Sequence, residues 1–190
     1  MPRRAKLRPD EPGRERVLEA GLELFGERGY HAVSVAEIGA RAGIAKSVLY
    51  HHFGSKAGLF EAIAECETRD LVEYVAAAVA AAPGEPRVRT GVDAYLRFFA
   101  ERPGAWRLLL RDPPADPDLI DVHARLAAER ERALAELLAG PDKLRAEPAS
   151  IGLTSTAIRT FAAWWYEHRD VPREDVADAI MDVIQAHRRG

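Results

Sequence analysis

The chain has little of several things, and each shortage excludes something. It has a single cysteine, Cys66, in 190 residues, so no intrachain disulfide forms, as expected in a reducing cytoplasm. Its longest nearly apolar run, VAAAVAAA at 75–82, is mostly alanine and stops at Pro83, well short of the roughly 20 residues of a membrane span. The charged start MPRRAKLRPDEPG leads into no apolar core and does not read as a signal peptide. Strand signals are weak, with no sustained Val/Ile/Thr alternation and no Asn-Gly hairpin turn. Catalytic patterns are missing too: no G-x-S-x-G, no H-E-x-x-H, no glycine-rich phosphate loop. Cys66 reads as a half-buried structural residue rather than a nucleophile. His51 and His52, adjacent on a helix, point apart and make a poor metal pair. No cofactor or metal is expected.

What the chain has is helix. Val17, Leu18, Gly21, Leu22, Leu24 and Phe25 line one side of a helix over about 12–28, stopped by Gly29. Ser34 and Glu37 form an S-x-x-E capping box for a second helix, which ends at Gly43. A third runs from about 45 to 52, and Ser55 caps a fourth reaching about Ala82. Further helices fall near 87–101, 103–111, 116–139, 146–168 and 172–188, divided at Pro103, Pro113-Pro114, Gly140-Pro141 and Pro172. The expected fold is all-α, with about nine helices. DPPADPD at 112–118 is the clearest loop.

Charge is uneven. The net charge is −3, yet residues 1–56 hold 10 Lys+Arg against 7 Asp+Glu, and residues 57–190 hold 17 against 23. A mildly basic front and an acidic remainder suggest one segment that faces a polyanion and one that does not.

The basic segment contains two short helices joined through Gly43, the layout of a helix-turn-helix. Gly39 lets the helices cross closely, and Gly43 permits the left-handed backbone of the turn. With Leu49 placed inward at 100° per residue, Ser47 and His51 point most directly outward. Tyr50 and Val48 flank them, Lys46 reaches around from the first turn, and Phe53 returns to the core. Hydroxyl, imidazole, methyl and ammonium groups on one face suit base edges and phosphates in a DNA groove.

Residues 12–60, with LELFGERGYHAVSVAEIGARAG followed by GIAKSVLYHHFGSKAGLF, resemble the DNA-binding domain of the tetracycline-repressor (TetR) family of bacterial transcription regulators. The run Leu49-Tyr50-x-His52-Phe53-x-Ser55-Lys56 is its most specific piece. The resemblance implies that Tyr50 and Lys56 hold phosphates, that Lys46, Ser47 and His51 face the groove, and that His52 is mainly structural. Arg41 is a further phosphate candidate, and Ser34 joins the DNA-facing set. The sequence departs from the family pattern in three places. Ala45 leaves the third helix without a side-chain N-cap, worth about 0.5–2 kcal/mol. Ser47-Val48 replaces a common Gly-Thr or Gly-Ser pair. Gly58 stands where an acidic residue often completes a capping box, which suggests a looser start to the fourth helix, by about 1 kcal/mol.

Three segments follow: a basic arm at 1–11, a helix-turn-helix domain at 12–56 and a helical ligand-binding and dimerisation domain at 57–190. The arm (Arg3, Arg4, Lys6 and Arg8) reads either as a tail along the phosphates or minor groove or as a solubilising tail. A palindromic operator on double-stranded DNA calls for a homodimer. At 3,4 spacing, Ile151, Thr154, Ile158, Phe161 and Trp165, with Val176, Ile180, Val183 and His187, form stripes on the last two helices, which the resemblance places in the dimer interface and which equally suit the intrachain core. Leu153, Ala157, Thr160 and Trp164 form a second face suited to the intrachain core. Tyr74, Tyr95, Phe98, Phe99, Trp106, Leu109, Leu110 and His123 are candidates for a small-molecule pocket; aromatic residues at helical spacing also suit plain core. The expected function is a ligand-released repressor. The alternatives are an activator or ligand-independent DNA-binding protein of the same fold, or a small helical enzyme or ligand-sequestering module.

Overall fold

The computed structural model describes residues 11–111, 117–139 and 148–189. Among them the chain forms nine α-helices, one π-helical turn and no strand. They are α1 (Glu11–Arg28), α2 (Val35–Ala42), α3 (Lys46–Phe53), α4 (Lys56–Ala81), α5 (Arg87–Glu101), α6 (Pro103–Trp106), α7 (Pro117–Ala139), α8 (Pro148–Glu167) and α9 (Arg173–Arg189), with the π turn at Arg107–Arg111. The all-α expectation holds, and each helix starts and stops within a few residues of its sequence signal. Arg3, Arg4, Lys6, Arg8 and most of the DPPADPD loop lie outside the described residues. No described helix is long and apolar enough to cross a membrane.

The first three helices are shaped by local chemistry. Val17, Ala20, Leu24 and Phe25 of α1 are buried, as are Val35, Ile38 and Ala42 of α2 and Leu49 of α3. α2 begins in the capping box read from the sequence: Glu37 N–H donates to Ser34 Oγ (3.2 Å), and Ser34 N–H donates to Glu37 Oε2 (2.8 Å). It ends at Gly43, left-handed at φ 66°, where Ile44 N–H donates to the Gly39 carbonyl at 2.8 Å. Gly39 is there because the crossing leaves no room. A Cβ on it would sit 2.7 Å from the Ile44 carbonyl oxygen and 2.9 Å from Leu49 Cδ1.

α4 joins this unit to the rest. Its first half packs on α1, where Gly21 lets Ile63 approach; a Cβ there would lie 2.5 Å from Ile63 Cδ1. Its length carries Leu59, Phe60, Ile63, Leu71, Val75 and Val79 into the core against α5 and α7. Its start is capped by Ser55, as the sequence predicts. Ser55 Oγ accepts from Gly58 N–H at 3.0 Å, so the cap is made. A Cβ at position 58 would fall 2.2 Å from the Phe53 carbonyl oxygen. Gly58 is therefore required by the close return of the α3–α4 turn, a tertiary demand that helix propensity does not register.

Candidate nucleic-acid interface

α3 turns Leu49, 1% exposed, into the core and leaves Lys46, Ser47, Val48, Tyr50 and His51 exposed. This is the orientation that the 100° count gives. The face is mixed: two hydroxyls, an imidazole, an ammonium and a valine methyl group. Lys46 Nζ stands 5.5 Å from the Tyr50 ring centre, a cation–π arrangement that gathers the two groups at one end of the helix. Ala45 makes no side-chain cap; its carbonyl accepts from Val48 N–H at 3.0 Å.

Lys56 opens α4, where a cation opposes the helix dipole. Its Nζ lies 4.2 Å from the Tyr30 ring centre, and the ring's negative face offsets that disadvantage. Tyr30 itself meets Phe25 and Phe60 in ring contacts. The ammonium is thus held on a platform that the core fixes, next to the α3–α4 turn. The sequence reading did not single out Tyr30; its place just after the Gly29 turn of α1 was the available signal.

Two cations near this face are already engaged. Arg41, exposed at the end of α2, pairs with Glu23 of α1 at 2.7 Å. Arg28 pairs with Glu37 at 2.7 Å and donates to the Ala32 carbonyl. These exposed pairs are worth little and break at small cost when a phosphate competes. Ser34 is exposed, but its Oγ is taken by the cap. Glu37 is held far below the usual carboxylate range, at about 2, first by the Ser34 amide and then by Arg28.

A groove of about 350 Å³ lies between the start of α1 and α3. Arg14, His51 and His52 contribute its polar lining, and Val17, Ile44 and Leu49 its apolar floor. His52, which the resemblance made mainly structural, is exposed. Its ring meets those of His51 and Phe53 on its own helix.

Five of the pocket candidates, Tyr74, Tyr95, Phe98, Phe99 and Trp106, come together as one aromatic cluster. Tyr74 meets Phe98, Phe99 meets Tyr95, Phe98 and Trp106, and Trp106 stacks on Tyr166 with ring centres 4.6 Å apart. Tyr95, Phe98, Phe99, Trp106 and Leu109 are buried; Tyr74, Leu110 and His123 are half-buried.

Of the dimer candidates, the side chains of Ile151 and His187 lie outside the described residues. Trp165 is 6% exposed and donates its ring N–H to the Val171 carbonyl at 2.9 Å; Val176 and Ile180 are 2% and 0% exposed. These three face the protomer's own core, between α8, α9 and α5. Thr154, Ile158 and Phe161 are half-buried. The exposed apolar groups on these helices are Trp164 at 46% and Val183 at 43%. On α8, Trp165 of the first stripe thus packs inward and Trp164 of the second lies exposed, the reverse of the sequence reading for these two residues. Spacing of 3 and 4 identifies an apolar face but not the side it turns to.

Residues 17–63 match the model of the tetR family of bacterial regulatory proteins. Over 181 residues the chain is 28% identical to the transcriptional activator FasR of Mycolicibacterium smegmatis, covering 93% of this chain and 83% of FasR. It is 43% identical to the transcriptional regulator UidR of Escherichia coli over 53 residues, 28% of this chain and 27% of UidR. Its fold is that of the transcriptional regulator FadR of Bacillus subtilis, solved in complex with stearoyl-CoA, with a TM-score of 0.71 at 14% identity over 90% of this chain and 97% of that one. With the outward face of α3 and the close Gly39 crossing, these matches identify residues 17–63 as a TetR-family DNA-binding domain, and the chain resembles DNA-binding transcriptional regulators along most of its length.

Proposed function

We propose that the chain acts as a homodimeric repressor that binds a palindromic operator and leaves it when a small effector binds among helices α4–α9. The observation that carries the DNA half of this reading is the outward set Ser47, Val48, Tyr50 and His51 on a helix anchored inward by Leu49. Tyr50 and Lys56 take phosphates, with Arg41 available once Glu23 yields it. Ser47, Val48 and His51 meet base edges, and Lys46 guards the entry of the helix into the groove. The segment division follows: an arm at 1–11, a DNA-binding unit at 12–56, and an effector-binding and dimerisation unit at 57–190.

Two recognition helices are needed for successive major grooves about 34 Å apart. The supporting surface is the exposed side of α8 and α9, with Trp164 and Val183 at its centre and the half-buried Ile158 and Phe161 at its margin. Trp164 stacks on His168 at 4.4 Å and 12° between planes, which presents a flat, rigid surface to a second copy. The aromatic cluster around Phe98, Phe99 and Trp106 forms the apolar wall against which an effector rests. Release requires that the effector prefer the protomer arrangement that does not fit DNA.

The resemblance to FasR, named an activator and matched along most of its length, favours one second reading: the same chain binding upstream of a promoter and recruiting transcription. Selection of bound fragments from genomic DNA, followed by a reporter placed behind the selected site, separates the two. A repressor lowers expression from that reporter and an activator raises it. Absence of any salt-dependent DNA affinity would remove both readings.

A further inference from the structure

α7 buries a stripe at positions 119, 123, 126 and 130, spaced 4, 3 and 4. Leu119 is 0% exposed, Leu126 3% and Arg130 4%, and His123 is half-buried. An arginine therefore sits where the pattern calls for a leucine. Among the described residues no carboxylate is within ion-pair distance of it: the adjacent Glu131 pairs with Arg159 of α8 at 3.4 Å. Tyr95 of α5, 6% exposed, Arg159 and His123 also lie close enough to interact with Arg130 electrostatically. His123, on the same stripe, has its Nε2 buried without a hydrogen-bond partner among the described residues. The cluster carries two guanidinium groups against one carboxylate, in the part of the fold where α5, α7 and α8 converge.

Burying a charge without a partner is costly. A protein that needed only packing here would keep a leucine or methionine. We propose that Arg130 is the fixed counter-charge for the acid group of the effector, a carboxylate or phosphate monoester on an otherwise apolar small molecule. The Tyr95 hydroxyl and His123 Nε2 supply neutral hydrogen bonds to the same group, and the apolar part lies along Leu126, Phe98 and Phe99. The inference rests on the reading that helices α4–α9 hold an effector. The electrostatics agree with the division of roles. Burial pushes the Tyr95 hydroxyl up to about 12, so it stays a neutral donor. Burial also pushes His123 down, keeping its ring uncharged at neutral pH. The guanidinium is left as the charge that meets the acid.

The test uses the full chain and matched probes: dodecanoate and dodecyl phosphate against 1-dodecanol, and benzoate and benzyl phosphate against benzyl alcohol. Binding is followed by thermal stabilisation and by calorimetry. Acids should bind the wild type at least about tenfold more tightly than their alcohols, as loss of a buried charged hydrogen bond implies. Arg130→Met should lose that preference and leave alcohol binding unchanged, and Arg130→Lys should retain part of it. In the absence of acid, Arg130→Met should melt no lower than the wild type, because a buried unpaired charge has been replaced by an apolar chain of similar length. A carboxylate bound in preference to its phosphate, or the reverse, identifies the acid. Equal binding of acid and alcohol, failure of every acid to bind, or a lower melting temperature for Arg130→Met with acid binding intact overturns the proposal. Acid binding through Arg130 that leaves operator affinity unchanged sinks ligand release instead, and the arginine assignment survives.

Discussion

Arg107 Nη1 donates to the carbonyl oxygen of Gly26 at 2.7 Å. The carbonyl belongs to the last turn of α1, whose oxygens lack intrahelical donors, and a cation there also favours the helix dipole. Arg107 opens the π turn that follows α6. At the same place Gly26 touches α6 so closely that a Cβ would lie 2.9 Å from Gly104 Cα. The helix-turn-helix unit and the helices that follow α4 thus meet at a close contact that includes this hydrogen bond. Arg107→Ala should cost about 1.5–3 kcal/mol of stability, the range for a hydrogen bond to a charged group, read by thermal or denaturant unfolding. An unchanged midpoint would mean that the contact carries no weight.

The phosphate assignments predict a uniform effect. Tyr50→Phe and Lys56→Ala should weaken binding to all sequences alike, because phosphates carry no base information. Lys56→Ala should also lower the slope of log affinity against log salt by about 1. Fluorescence anisotropy over a salt series checks this; a changed sequence preference with an unaltered slope would reassign Lys56 to the bases.

The capping box predicts an acid-sensitive α2. The Glu37 carboxyl titrates at about 2 in the fold against an ordinary 4.5. Its contribution is complete above about 4.5 and is lost as the pH falls towards 2, since protonation removes the acceptor that holds the Ser34 amide and Arg28. Unfolding midpoints measured between pH 6 and 2.5 should fall more steeply for the wild type than for Glu37→Gln. Parallel curves would show that the cap does not titrate with the fold.

Because Trp164 is exposed and Trp165 is buried, the test of the proposed dimer contact falls on Trp164. Trp164→Glu should give a helical monomer by sedimentation and circular dichroism, since it places a charge in the centre of the proposed contact and disturbs nothing inside the protomer. Trp165→Glu should instead unfold the chain, because that ring is buried and hydrogen-bonded to Val171. A Trp164→Glu protein that stays dimeric would put the interface elsewhere.

These outcomes show where the sequence was legible. Ser34, Glu37, Gly39 and Gly43 were readable because caps and left-handed turns follow rules local to a few residues. The outward face of α3 followed from one inward anchor, Leu49, and a fixed 100° step. Trp164 and Trp165 were not separable in this way. Both lie on apolar stripes, and only packing against α9 and α5 decides which is inside. Gly58 read as a weak start to α4 because its reason, the Phe53 carbonyl 2.2 Å away from a Cβ, is created by the return of the chain. Arg130 was hidden in ARLAAERERALAEL, a charge-rich run that reads as a solvated face; the 4,3,4 spacing from Leu119 was the signal that set it apart.

The central claim, that α3 reads DNA through Ser47 and His51, is tested most directly by selecting bound fragments from genomic DNA with the wild type and with Ser47→Ala and His51→Ala. The account predicts that the wild type selects an inverted repeat with half-sites one helical turn, or a multiple of it, apart. Each variant should change the preferred base at its own position in the half-site, by about 1–3 kcal/mol where the lost contact is a well-formed one. No enriched repeat, or the same repeat selected with equal preference by all three proteins, would contradict it.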